Sequence, residues 1–190
     1  PQRAFLHWRI QMANYVTAFN RVYQAGFSPN LVERPRLEKH LQTILNDVVK
    51  MRGLITPASK ETHIQKSIFE AIQTISRNLV CMLELQINAH WASRASHFVM
   101  LNARTLKETQ QMTQQTLLTI AHALYEGNPQ PILANTERLN EIVAELRQLI
   151  NDRPSENVAE TPIHGYVWLS MELARQLELL SHLICRALRK

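Results

Sequence analysis

Eight histidines could hold a metal ion by residue type, but their spacing argues against it: His7, His40, His63, His90, His97, His122, His164 and His182 contain no i, i+4 pair and no His-Glu-x-x-His run. His90 and His97 share a helix face only at a separation of about 10 Å, too far to chelate one ion. Cys81 and Cys185 sit in apolar helical runs without Cys-x-x-Cys spacing, which suggests neither a disulfide framework nor a thiolate zinc site and fits a reducing compartment. A Ser-His-Asp arrangement would have to draw on Asp47 or Asp152, and neither is tied by spacing to a histidine. With no nucleophile, base and oxyanion donor to name together, the reading is no catalytic residue, no metal, no cofactor and no enzyme.

Three further groups of residues could carry binding chemistry. Glu84 is the one charge in the apolar run 79–87, either on a narrow polar face or at a buried proton site. The segment 109–116 (Thr-Gln-Gln-Met-Thr-Gln-Gln-Thr) has one apolar residue in eight. It either faces solvent or lines a cavity in which amides, Gln111 and Gln115 foremost, could orient a small polar or aromatic ligand. Arg3, Trp8 and Arg9 combine cations with an amphipathic ring, as a helix does where it leaves a bilayer. The competing reading is core, because Phe5, Trp8, Tyr15, Phe19 and Tyr23 follow a helical stripe.

The elements that must position these groups are helical. Residues 3–25 carry apolar positions at steps of three and four, and Gly26 is expected to end that helix in a left-handed conformation. A second helix runs from Pro29 or Pro35 to Arg52 with Gly53 as its stop, and Thr56-Pro57 and Ser59 offer starts for a third. No glycine or proline separates Pro57 from Gly127. One helix over that span would reach about 100 Å, so a turn is placed at 91–96 with Ser93 as cap. Helices over 95–126, 131–152 and 161–190 follow, with a polar connector at 153–161. The fold class is all-α, an antiparallel bundle of about six helices forming a single domain over 1–190.

Composition narrows function mainly by exclusion. Four glycines, none closer than 27 positions to the next, rule out Gly-rich phosphate loops and the nucleophile elbow. No run of 18 apolar residues marks a spanning helix, and the stretch itself is expected to be soluble. The net charge of +5 is uneven, with nine Lys or Arg against three acids in residues 1–60 and four against nine in 126–178. A basic first third suits nucleic acid or an anionic membrane face, and the aromatic stripe offers no exposed platform on which bases could stack.

The runs 1–10 (Pro-Gln-Arg-Ala-Phe-Leu-His-Trp-Arg-Ile), 51–62, 77–89, 123–131, 165–169 and 184–190 resemble the fusaric-acid-resistance and aromatic-acid-exporter type of inner-membrane protein over essentially all 190 residues. The resemblance implies a helical cytoplasmic domain that follows a block of transmembrane helices. Pro1 would lie just after the last span, and Arg3, Trp8 and Arg9 next to the membrane. It implies efflux of small aromatic or carboxylated compounds by the whole protein, with an assembly, regulatory or substrate-sampling role for this part. The implied partners are the inner membrane, a second copy in a homo-oligomer and a small-molecule substrate, with no nucleic acid. A helical adaptor or signalling bundle that binds a partner protein is the alternative.

Overall fold

The computed structural model describes residues 3–28, 34–151 and 161–189. Its helices are α1 (Ala4–Gly26), α2 (Arg34–Thr62), α3 (Lys66–Ser93), α4 (His97–Leu101), α5 (Ala103–Glu126), α6 (Gln130–Leu133), α7 (Thr136–Asn151) and α8 (Thr161–Leu188), and no strand occurs among the described residues. The all-α bundle is thus observed. Among the described residues it has eight helical segments instead of about six, because the helices expected over 95–126 and 131–152 are each broken once, at Asn102 and at 134–135.

The aromatic stripe of α1 is the centre of the core. Trp8, Met12, Phe19 and Tyr23 are buried among Val48 and Met51 of α2, Phe69, Leu79 and Leu83 of α3, Leu117, Ile120 and Leu124 of α5, and Leu177, Leu180 and Ile184 of α8. A smaller cluster, Leu106, Ile142, Leu146, Ile163, Tyr166 and Val167, joins α5, α7 and α8, and Phe27 packs against both clusters. Helix directions follow from pairs along the elements. Trp8 meets Phe69 edge to face at 4.9 Å and Tyr15 donates to the Ser76 carbonyl at 2.7 Å, so α1 and α3 run parallel. The Phe5 N–H donates to Glu61 and the Tyr125 hydroxyl to Asn14, which sets α2 and α5 antiparallel to α1. Gln86 of α3 donates to Ser170 of α8, and Trp91 donates to the Gly26 carbonyl where α1 and α3 end side by side. The principal neighbours, α1 with α2, α1 with α5, α2 with α3 and α3 with α8, are thus antiparallel, as expected, and α1 and α3 touch as a parallel pair across the core.

Three helix ends are made differently from what the sequence suggests. Gly53 does not stop α2, which continues through Pro57 to Thr62. Both residues are exposed, so the Gly53 carbonyl that Pro57 leaves without an N–H donor can be served by water. The true stop is His63, at φ 60°, where the Ser59 hydroxyl donates to the Ile64 carbonyl and the Ile64 N–H to Thr62. Ser59 closes a helix end where it was expected to open one. Gly26 does end α1, but without a positive φ: a Cβ there would run into the Ile87 side chain, so the position needs space between α1 and α3. Ser93 is the last residue of α3, and its hydroxyl returns to the Ala89 and His90 carbonyls instead of capping the next helix. Gly127 ends α5 as expected, and it, not Gly26, takes the left-handed conformation, at φ 67° with the Asn128 N–H bonded to Ala123. The expected connector at 153–161 lies almost wholly outside the described residues.

Candidate functional site

The polar segment of α5 turns inward through its threonines. Thr109, Thr113 and Thr116 are buried, and each hydroxyl donates to the carbonyl four residues back. Gln111 and Gln115 are exposed, so the amides expected to face a cavity face solvent instead. A helix turns 100° per residue, and the stripe that continues Leu117 and Ile120 toward the N-terminus falls on the threonines, not on these glutamines. Gln110 is the segment's structural amide, donating to the Tyr166 hydroxyl at 3.0 Å.

The three residues expected next to a membrane separate in the fold. Arg3 is exposed, whereas Trp8 is 1% exposed and belongs to the core, which overturns its reading as an interfacial ring. Burying the indole against Phe69 removes more apolar area from water than the edge of the bundle could. Arg9 lies between these extremes, with its guanidinium 5.8 Å from the Phe5 ring and lying where a side chain on Gly127 would go. Its Nε is buried without a hydrogen-bond partner. Because the aromatic face of α1 is spent on the core, it offers no surface to a second copy. Glu84 is exposed on the outer face of α3, and Cys81 is exposed while Cys185 is buried. No group of three or more His, Cys, Asp or Glu side chains that could hold a metal ion occurs among the described residues.

Among the surface concavities of the described residues, two of the larger lie between helices of the first half of the chain and are places where a ligand could sit. Between α1 and α2 a groove of about 320 Å³ has an apolar floor of Ala18, Val22, Leu37 and Ile44 and a rim of Arg21, His40 and Asp47. An apolar slot with a cation at its edge suits a flat apolar body carrying an anionic group. Sequence reading missed this groove. Its signal was the small residues Ala18 and Ala25, seven apart on α1, which keep the two helices from filling the space between them. Between α2 and α3 a more polar cleft carries Arg52, Lys66 and Arg77 around Glu70.

At the end where α3 meets α4 and α8 begins, His90 lies edge to face against Phe27 at 5.0 Å and tilted against Tyr166 at 5.4 Å. Burial pushes its imidazole below the ordinary histidine range, and the nearby Arg94 charge adds to that. Arg94 itself lies 5.4 Å from the Trp91 ring and donates to the Trp91 carbonyl. Burial raises the Tyr166 phenol as well, so the cluster is neutral near pH 7 and acts as packing with a titratable member.

In comparison with known proteins, the chain is 72% identical over all 190 residues to Inner membrane protein YeeA of Escherichia coli (strain K12), and it spans 54% of that relative, about half its length. No family model matches the chain, and no solved structure matches it. No described helix is long and apolar enough to cross a membrane.

Proposed function

We propose that this chain is the helical cytoplasmic domain of an inner-membrane exporter of the fusaric-acid-resistance and aromatic-acid type, joined at its residue-3 end to a membrane-embedded part. The observation that carries this reading is 72% identity over the full chain to a protein named for the inner membrane, about half of which lies outside the match. The domain's role is assembly, regulation or substrate sampling and not catalysis. For sampling, the α1/α2 groove replaces Gln111 and Gln115 as the place to look, because it pairs an apolar floor with Arg21 on a rim that also carries His40 and Asp47.

The test is calorimetric titration of the chain with a panel of aromatic carboxylates, alongside its mass by light scattering. Micromolar binding is expected, weakened roughly tenfold or more by Arg21→Ala, since a hydrogen bond to a charged group is worth about 1.5–3 kcal/mol. Binding unaffected by Arg21→Ala but lost in Gln111→Ala would return the site to α5. Absence of binding together with a stable dimer would remove sampling and leave assembly. For the membrane assignment, the full-length protein should partition with inner membranes and protect this domain from protease added on the periplasmic side; cleavage from that side would sink it.

A further inference from the structure

The antiparallel pairing of α1 with α2 and α5 gathers residues far apart in sequence at one end of the bundle. The start of α1 lies beside the end of α2, through Phe5 and Glu61, and the buried Cys185 near the end of α8 packs beside Pro129 just after α5. Arg3, Lys60, Lys66, Arg186 and Arg189 are all exposed on these terminal turns. The acids nearby offset part of this charge: Glu61 accepts the Phe5 N–H, Glu70 pairs with Lys66 at 3.7 Å, and Glu126 ends α5. At the opposite end the cations are interleaved with Glu38, Glu84, Glu108, Glu141, Glu145 and Glu172. Along the halves of α1, α2, α3, α5 and α8 nearer this end, residues 3–14, 49–62, 66–79, 115–126 and 175–189, ten Lys or Arg stand against four acids, so the molecule is more basic at this end, and the basic end is assembled from α1, α2, α3 and α8, not from the first helix alone.

We propose that this end is a docking face for the anionic leaflet of a phospholipid bilayer, held by Lys60, Lys66, Arg186 and Arg189 together with Arg3. The inference rests on the membrane assignment above and extends it from a point of attachment to a surface. Each exposed cation near an anionic leaflet contributes about 1 kcal/mol, or about fivefold in partitioning, and the attraction fades within a Debye length. Several cations gathered at one end can thus fix the orientation of a domain that single charges could not.

The experiment is co-sedimentation of the 190-residue chain with vesicles of phosphatidylcholine alone and with about 30% phosphatidylglycerol, at low and at physiological salt. Two triple variants are compared, Lys60→Gln/Arg186→Gln/Arg189→Gln at the basic end and Arg36→Gln/Lys39→Gln/Lys107→Gln at the other, each checked for unchanged helicity and melting. The expected result is retention that needs phosphatidylglycerol, weakens with salt, and falls more than tenfold in the first variant with little change in the second. Three results would overturn the proposal: no retention on anionic vesicles, equal loss in both variants, or binding to a single-stranded oligonucleotide at least as tight as to the vesicles. Each of these leaves the exporter assignment standing, because fractionation of the full-length protein reads that separately.

Discussion

Single side chains in this bundle are decided by what they displace. Trp8 carries both an apolar ring and a neighbouring cation, and it spends the ring on Phe69. Trp8→Ala should therefore cost about 3–5 kcal/mol in denaturant unfolding, the range for large aromatic truncations in a core. A loss below about 1 kcal/mol would mean that the indole is not buried in solution. Gly127 and Arg9 form a second residue-scale pair, since the glycine combines a left-handed backbone with a guanidinium lying where its side chain would be. Gly127→Ala should destabilise by about 1–2 kcal/mol for the backbone, plus whatever moving Arg9 costs. In an Arg9→Ala background only the backbone part should remain. A double-mutant cycle measures the difference, and additivity of the two changes would show that the residues do not meet.

At the scale of elements, glycine has three different meanings that sequence spacing does not separate. Gly26 leaves room for Ile87, Gly127 supplies a left-handed cap, and Gly53 lies on an exposed helical face where an added Cβ would meet nothing within 4 Å. Gly53→Ala should accordingly stabilise the chain by about 0.5–1 kcal/mol, and Gly26→Ala should destabilise it. Chemical denaturation of the two variants checks both signs, and a destabilised Gly53→Ala would restore that glycine as the end of α2. The periodic stripes of α1, α5 and α8 were legible because burial on one side of a helix enforces them. The end of α2 was not, because serine and threonine hydroxyls serve helix starts and helix ends with the same chemistry. Only the packing of Ile55 and Ala58 into the core carries α2 past Gly53 and Pro57.

Across the whole molecule, the Phe27–His90–Tyr166 cluster joins α1, α3 and α8 and bridges the two apolar clusters. Since burial lowers the His90 pKa in the folded state, the unfolded chain takes up this proton first as pH falls. The contribution is complete above the ordinary histidine value of about 6.5 and is lost progressively as pH drops below it toward the folded value. Unfolding free energy measured from pH 7.5 to 5 should fall less steeply in His90→Gln than in the parent, and parallel slopes would exclude His90 as the group responsible. Sequence by itself determined the helical class, the periodic stripe of α1, the end of α5 at Gly127 and a basic first third, because each depends on local backbone preference or on residue composition and periodicity. Only the tertiary structure decided that Trp8 is core, that Gln111 and Gln115 face solvent while the neighbouring threonines turn in, and that an α1/α2 groove exists. It alone brought Lys60, Lys66, Arg186 and Arg189 to one end beside Arg3, since helix direction and the rotation of each helix about its axis are set by packing between elements.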